Sequence, residues 1–258
     1  MRQTENLIRF IKILLVLWLA MCAIKAFSQR IIHVRHQTYE ILYNQDLLTP
    51  ECVYYTLRDA DFKGTQRSKP KYFKSDYLLP PPRRKDKDFK FTGFQRGHLC
   101  PSGDRDSRKD WFKDTFFTSN IVPMTPVVNA GVWKDIETEC RNLATNGHIL
   151  KIACGIIASS CNTPYPRTGT YYVPDTLFKM AVCLHCDTIR KCWLVPNDCL
   201  LRVHSACNTS EDLLYDKMTP IVAAFLRQWF PQKFIPEYRD TFSLGESIAN
   251  FGVYHGDK

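Results

Sequence analysis

The order of the apolar segments is the feature that most constrains the fold. Runs rich in β-branched and aromatic residues recur through residues 37–57 and 149–184, whereas a helical spacing of apolar residues occurs in two places. Strands that cluster in this way, instead of alternating strictly with helices, are typical of an α+β fold. We therefore predict an α+β fold with a largely antiparallel central sheet and flanking helices.

Two strands are predicted at the start of the sheet. Gln37–Leu42 and Cys52–Leu57 contain β-branched and aromatic residues, and the polar residues 44–46 lie between them. This pattern favours an antiparallel pair. Further strands are predicted at Thr115–Ile121, Ile149–Ile157, Tyr171–Val173 and Phe178–Leu184.

Helices are predicted in two segments. From Asn129 to Ala144, apolar residues recur at steps of three and four, and Asn146-Gly147 then ends the helix. The segment Thr219–Phe230 is amphipathic and opens with Thr-Pro, which favours a helix start.

The N-terminal segment resembles a secretory signal peptide. Basic residues precede the apolar run Ile13–Ile24, and small residues two apart follow at Ala26 and Ser28. The run is shorter than the ~20 residues that cross a bilayer, which argues against the alternative of a transmembrane anchor. We expect residues 1–28 to be removed and residues 29–258 to be exported as one domain to the periplasm, the cell envelope or the exterior, with no stable membrane span.

Cysteine is frequent in this chain. One of the eleven cysteines, Cys22, lies in the signal segment, and the even number that remains predicts disulfide bonds in an exported protein. The competing interpretation is a zinc site, because Cys183 and Cys186 form a CxxC and further cysteines follow. The sequence has no second CxxC, so disulfides are favoured, with their pairing left open.

Net charge gives weak support for a polyanionic partner. The formal charge is +9, and removal of residues 1–28 takes away four Lys or Arg and one Glu, which leaves 31 basic against 25 acidic side chains. Long-range attraction would favour a polyanion, but many globular proteins are equally basic.

The helix predicted from Asn129 has polar side chains along one edge. At about 100° per residue, Asn129, Glu137 and Arg141 follow one slanting ridge together with Trp133. This edge would present an amide, a carboxylate and a guanidinium in a row. By themselves these residues also fit an ordinary helix N-cap and an i, i+4 ion pair.

A second polar group lies upstream. Arg96 and His98 are separated by Gly97, so both side chains can reach one face of an extended segment, and the glycine permits a close backbone approach. A single histidine is more often structural than catalytic, so this group is informative only in combination with others.

Three segments together resemble the signature of the DNA/RNA non-specific endonuclease family, to which endonuclease G belongs. The signature reads approximately D-R-G-H, then a strand ending in S-N, then N-x-x-x-W-x-x-L-E. The matching segments here are Gln95–Ser102 (QRGHLCPS), Ser119–Pro123 (SNIVP) and Asn129–Glu137 (NAGVWKDIE). Several separate elements agree at the expected spacing, so the match is specific.

The resemblance implies a ββα-metal fold, also called a His-Me finger, with an active site built on it. His98 is expected to be the general base, Asn129 the only direct protein ligand of a Mg²⁺-type ion, and Glu137 a holder of water around that ion. An ordinary histidine pKa of ~6.5 leaves a neutral base at pH 7 to 8. Mg²⁺ prefers oxygen ligands and keeps several waters, and Mn²⁺ is a possible substitute.

The family also implies what surrounds the phosphate. Arg96 and Arg141 would lie near the phosphate and its charged transition state, because an arginine fork matches phosphate oxygens. Asn120 would orient the site through hydrogen bonds to His98 or its neighbours. The expected partners are DNA and RNA, contacted through the phosphate backbone and cut to leave 5′-phosphate and 3′-hydroxyl ends.

Two residues depart from the family pattern. Gln95 stands where Asp is usual, and it can hydrogen-bond but has no charge; Met124 stands where Gln is common. The first departure supports an alternative, a catalytically inactive nucleic-acid-binding protein of the same fold. A third hypothesis is a disulfide-stabilised envelope protein whose basic charge is incidental.

Overall fold

We describe the chain from a computed structural model. The structure describes residues 30–64, 70, 72–90, 92–157, 172–186, 188–197, 207–208 and 210–230. The predicted signal peptide, residues 1–28, lies outside these ranges. Among the described residues, no helix is both long enough and apolar enough to cross a membrane.

A seven-stranded antiparallel sheet forms the centre of the protein. Its strands are β1 (Ile31–Arg35), β2 (Glu40–Asn44), β3 (Thr49–Leu57), β6 (Leu150–Ile157), β7 (Thr176–Cys183), β8 (Arg190–Pro196) and β9 (Cys207–Asn208), and they lie side by side in this order. The predicted α+β class with a largely antiparallel sheet is confirmed. The predicted strands at residues 37–42, 52–57, 149–157 and 178–184 are confirmed with shifted bounds.

Alternation along the central strands divides them between two cores. In β3, Val53 and Tyr55 belong to one hydrophobic cluster, whereas Cys52 and Tyr54 belong to the other. Both faces of the sheet are covered, so nearly every residue of β3 is buried.

Helices cover the two faces. The helices are α1 (Lys109–Asp114), α2 (Pro126–Ala130), α3 (Val132–Thr145), α4 (Glu211–Lys217) and α5 (Pro220–Trp229). Helix α3 packs into the same cluster as Val53, and α4 and α5 pack into the cluster of Tyr54. The predicted helix at the end of the described chain is confirmed as α5.

A small ribbon stands beside α2 and α3. Strands β4 (Gln95–His98) and β5 (Ile121–Met124) pair in antiparallel fashion, with Gln95 opposite Met124 and His98 opposite Ile121. The order β4, β5, then helix is the ββα arrangement that the family resemblance implies.

The single helix predicted over Asn129–Ala144 is wrong at one point. The chain leaves helical geometry at Gly131, whose φ is −106° and ψ is −111°, so Asn129 belongs to α2 and Glu137 to α3. The continuous ridge predicted for these residues is therefore broken. Asn129 does not cap a helix either, because Thr125 caps α2.

The strands predicted at residues 115–121 and 171–173 are also corrected. Residues 118–120 form a 3-10 turn, and the strand begins only at Ile121. Tyr172 and Val173 precede β7 without joining it, and Pro174, which follows them, has no N–H to donate to a ladder. Tyr171 lies outside the described residues.

The predicted disulfides are not formed at six cysteines, which are free thiols: Cys52, Cys100, Cys140, Cys154, Cys183 and Cys186. Cys52 and Cys154 lie on neighbouring strands but belong to opposite faces of the sheet. Alternation therefore points their Sγ atoms apart, and a disulfide needs converging Cβ atoms. Cys161 and Cys199 lie outside the described residues.

Candidate active site

His98 ends strand β4 and is held from three sides. Its ring centroid lies 5.4 Å from that of Phe73 and 5.0 Å from that of Phe116, the second in an edge-on arrangement. The indole Nε1–H of Trp133 donates to the His98 backbone oxygen at 3.1 Å. These contacts fix both the backbone and the ring plane of the histidine.

Asn120 forms hydrogen bonds with the two residues that follow His98. Its side chain is buried, its Oδ1 accepts from the backbone N–H of Cys100 at 2.8 Å, and its Nδ2 donates to the carbonyls of Cys100 and Thr115, both at 2.9 Å. Its own carbonyl accepts from Leu99 N–H at 3.0 Å. Asn120 therefore positions the neighbours of His98 rather than facing a substrate.

Asn129 lies on α2 and contacts the start of β4. Its Nδ2 donates to Gln95 Oε1 at 2.7 Å. This hydrogen bond uses the nitrogen of the carboxamide and leaves Oδ1 available to a ligand. Gln95, which departs from the family pattern, thus orients the predicted metal ligand.

The second departure, Met124, packs against the glycine of the motif. Met124 is fully buried opposite Gln95 in the ribbon. A Cβ added at Gly97 would collide with the Sδ and Cγ atoms of Met124. Gly97 therefore leaves the space that the methionine side chain fills.

Glu137 lies on α3 in an environment that opposes its charge. Burial raises the pKa of Glu137 to about 7, and the cations Lys179 and Arg141 only partly oppose that shift, while Asp104 adds to it. The carboxyl group is therefore poised between its neutral and charged forms near neutral pH.

Arg141 is fixed at the other end of the same helix face. Its Nη1 donates to Asp104 Oδ1 at 2.8 Å and lies 4.0 Å from Glu137 Oε2. Tyr55 holds Asp104 in turn, by donating to Oδ2 at 2.9 Å. Burial lowers the pKa of Arg141, but the charge and hydrogen bond of Asp104 outweigh it and leave the pKa above its usual value.

Arg96 pairs with an aspartate and packs on an aromatic ring. Its Nη2 is 3.2 Å from Asp86 Oδ1, and its Cζ lies 5.2 Å from the centroid of Phe73. Phe73 also contacts His98, so Arg96 and His98 share a neighbour. Of these two residues, only His98 lines the cleft described next.

One cleft brings the remaining predicted residues together. It has a volume of about 560 Å³. Its lining is Phe62, His98, Pro101, Ser102, Gly103, Asp106, Asn129, Lys134, Glu137 and Arg141. Four of the six residues predicted from the sequence, His98, Asn129, Glu137 and Arg141, thus line the cleft, whereas Arg96 and Asn120 do not.

Sequence reasoning missed two charged residues behind the cleft, Lys179 and Asp104. Both are buried, and Lys179 Nζ lies 4.5 Å from the centroid of Trp133. Burial opposes the charge of Lys179, yet neighbouring acidic groups, Cys154 first and Glu137 next, keep its pKa above the usual value. A single lysine in the otherwise apolar core of β7 was the available signal; Asp104 offered none.

A family model matches this chain. The model described as DNA/RNA non-specific endonuclease matches residues 23–213, a range that contains all six predicted site residues. It also contains the cleft and both strands of the ribbon.

Individual proteins are similar over shorter stretches. A nuclease from a Nostoc species is 30% identical over 148 residues, which cover 57% of this chain and 52% of the relative. The mitochondrial nuclease EXOG of Danio rerio is 34% identical over 111 residues, 42% of this chain and 32% of the relative. The chain thus spans about half, or less, of the curated relatives it matches.

A solved structure of an EndoG/EndoGI complex resembles the fold. Its matching chain has a TM-score of 0.62 at 19% identity, and the match covers 72% of this chain and 82% of the other. At that identity the likeness concerns the fold alone.

Proposed function

The chain belongs to the DNA/RNA non-specific endonuclease family, and we propose that it hydrolyses phosphodiester bonds of DNA and RNA with a histidine base and one Mg²⁺-type ion. The observation that supports this most strongly is the cleft, where an imidazole from β4, an amide oxygen from α2, and a carboxylate and a guanidinium from α3 meet. Contacts to phosphates instead of base edges make cleavage insensitive to sequence.

In this proposal His98 takes a proton from the attacking water. The rings of Phe73 and Phe116 hold the imidazole plane, and the Trp133 hydrogen bond fixes the backbone behind it. A base held in one orientation needs no reorganisation when the proton moves. Asn120 keeps the next residues of the chain in place and acts as a positioning residue.

The cleft residues fit a hard divalent cation. Asn129 offers Oδ1 because Gln95 holds its nitrogen, and the carboxylate of Glu137 would hold water around the ion. Oxygen donors of this kind suit Mg²⁺, with Mn²⁺ as a substitute. When bound, the ion stabilises charge on the phosphate and on the leaving oxygen. One direct protein oxygen predicts weak binding in the absence of nucleic acid.

The two arginines contact the backbone at different places. Arg141 faces the cleft with its guanidinium fixed by Asp104, so it donates to the reacting phosphate. Arg96 is held by Asp86 and the ring of Phe73 and does not line the cleft, so we place its contact on a neighbouring phosphate. Binding to several phosphates makes affinity fall steeply with salt.

The catalytically inactive alternative depends on Gln95. In the family a carboxylate is usual there, but Gln95 Oε1 accepts a hydrogen bond from Asn129 as a carboxylate oxygen can. The orienting contact therefore survives the substitution, which favours the active enzyme.

The direct test is incubation of the purified protein with supercoiled plasmid and with RNA, in Mg²⁺, in Mn²⁺ and without added metal. We expect both substrates to be cut with either metal, and the ends to carry 5′-phosphate. His98→Gln should lose nearly all turnover and keep the thermal unfolding of the parent protein. Salt-dependent binding without cleavage in both metals would establish the inactive alternative, and no binding at low salt would establish the envelope protein.

We also propose that the protein is exported and that residues 1–28 are its signal peptide. The basic start, the short apolar run and the small residues at Ala26 and Ser28 support this. Mass determination of the protein from cell fractions is the test. A mature N-terminus near Ser28 outside the cytoplasm is expected, and an uncleaved chain in the cytoplasm would contradict export.

A further inference from the structure

Two histidines and two cysteines meet where β7 turns into β8. Cys183 ends β7, and its backbone N–H bonds to the carbonyl of Ile189 at 2.9 Å, which closes a tight turn. Cys183 is also paired with Leu150, the first residue of β6. The turn therefore lies against the segment that leads into β6, and none of the two histidines and two cysteines lines the catalytic cleft.

His148 reaches this turn because of the way α3 ends. Gly147 has a φ of +91°, and the N–H groups of Gly147 and His148 bond back to the carbonyls of Ala144 and Leu143 at 3.0 and 3.2 Å. This is the glycine-dependent termination that the Asn-Gly pair predicted. It fixes the backbone of His148 between helix and sheet, and the side chain is half buried.

Two sulfur–nitrogen distances at this turn are close to those between neighbouring ligands of one small ion. His148 Nδ1 lies 3.8 Å from Cys183 Sγ and 3.9 Å from Cys186 Sγ. In a tetrahedral zinc site, with Zn–S of about 2.3 Å and Zn–N of about 2.0 Å, neighbouring sulfur and nitrogen ligands lie about 3.6 Å apart. The two observed distances are within a few tenths of an ångström of this value.

His185 supplies the fourth donor. One ligand atom each from His148, Cys183 and His185 lie within 4.8 Å of one another, and the two imidazoles stack with centroids 5.8 Å apart. His185 is exposed, so an ion can reach the site from solvent. Two thiolates and two imidazoles are a common donor set of structural zinc sites.

We propose that His148, Cys183, His185 and Cys186 bind one Zn²⁺ ion that ties the β7–β8 turn to the end of α3. Four protein ligands leave no open position for a substrate, so the ion is structural. The zinc interpretation of the CxxC therefore replaces a disulfide between Cys183 and Cys186. The other two ligands are histidines, one of them distant in sequence, and no second CxxC is needed. The proposal is independent of the phosphodiesterase activity.

The test begins with the full chain purified without chelator or added reductant in zinc-containing medium. We expect one zinc per chain by elemental analysis and both thiols of the turn available to alkylation after denaturation with chelator. A Cys183–Cys186 disulfide by mass spectrometry, or no zinc in the protein, would overturn the proposal.

Cobalt substitution identifies the ligands. Co²⁺ exchanged into the protein should show thiolate-to-metal absorption in the near ultraviolet, and intense visible bands typical of four-coordination. The double variant Cys183→Ser, Cys186→Ser should lose these bands. His148→Gln, which keeps both thiols, should lower cobalt affinity by at least tenfold. Unchanged spectra and affinity in His148→Gln would contradict the ligand set even if the cysteine variant failed to fold.

Two controls separate this site from its surroundings. Thr188→Ala changes an exposed residue of the same turn and should leave zinc content unchanged. His98→Gln should keep full zinc content while losing nuclease activity. Loss of zinc in His98→Gln would show that the metal belongs to the catalytic cleft and would refute a separate site.

Discussion

Replacement of Glu137 by glutamine should stabilise the protein in the absence of divalent metal while impairing catalysis. Burial raises the pKa of Glu137 to about 7, from an ordinary value of 4.5. At pH 8 the folded protein must therefore hold an ionised carboxylate in a place that favours the neutral acid. Glutamine has a similar shape and no charge, so it avoids this cost.

The size and sign of the effect follow from linkage. A raised folded-state pKa means that the stability contribution of the neutral acid is present below pH 4.5 and is lost as pH rises to about 7. At about 1.4 kcal/mol for each pH unit, the loss amounts to about 3.5 kcal/mol. The advantage of Glu137→Gln over the parent protein should therefore grow between pH 4.5 and 7 and stay constant above that.

The assay is urea unfolding of both proteins from pH 5 to pH 8 in buffer without Mg²⁺, with cleavage rates measured in parallel. Glu139→Gln is the matched control, because the same chemical change falls on the same helix at a residue paired with Lys191 and about 40% exposed. The control should show no pH-dependent difference. In cleavage, Glu137→Gln should raise the Mg²⁺ concentration for half-maximal rate by about 10-fold or more.

A stability difference between Glu137→Gln and parent that stays constant from pH 5 to 8 would refute the reasoning. So would a variant less stable than the parent at pH 8. Either result would mean that the ionised carboxylate is well solvated or fully compensated by Lys179 and Arg141.

Three further predictions test the supports of the cleft. Gln95→Ala should raise the Mg²⁺ concentration for half-maximal cleavage by about 10-fold, because it releases the Asn129 carboxamide. Gln95→Asp should not raise it. Equal Mg²⁺ titrations for the two variants would exclude an orienting role of Gln95. Gly97→Ala should lower the free energy of unfolding by about 1–3 kcal/mol, because the added Cβ collides with Met124. Met124→Ala in the same chain should relieve part of that loss. If the two substitutions have additive effects on urea unfolding, the collision is contradicted. Asn120→Ala should destabilise by about 3 kcal/mol, because it leaves three buried backbone groups without partners, and a loss under 1 kcal/mol in urea unfolding would show that water replaces the amide.

The cleft was largely predictable because its residues lie in short segments with fixed spacing. The motif match indicated that His98 and Asn129 face a common site, and both line the cleft. Physical reasoning from periodicity alone placed Asn129 and Glu137 on one helix, which Gly131 prevents. The backbone angles of Gly131 depend on how α2 and α3 pack against the rest of the protein. The residues around Gly131 do not indicate that packing.

Long-range partners were beyond prediction. Asp104 fixes Arg141 and Lys179 faces Glu137, but each comes from an element distant in sequence from α3. The order of strands in the sheet likewise depends on pairings such as β3 with β6, separated by about a hundred residues. Strands β1 and β8 combine apolar residues with the basic residues His33, Arg35, Arg190 and Lys191, and neither strand was predicted.

The identity of the general base is tested most directly by chemical rescue. Plasmid nicking by His98→Gly in Mg²⁺ should be nearly abolished, and added imidazole, which can occupy the space between Phe73 and Phe116, should restore part of the rate as its neutral fraction increases with pH. Nicking by His98→Gly at the rate of the parent protein would contradict the assignment of His98 as the base.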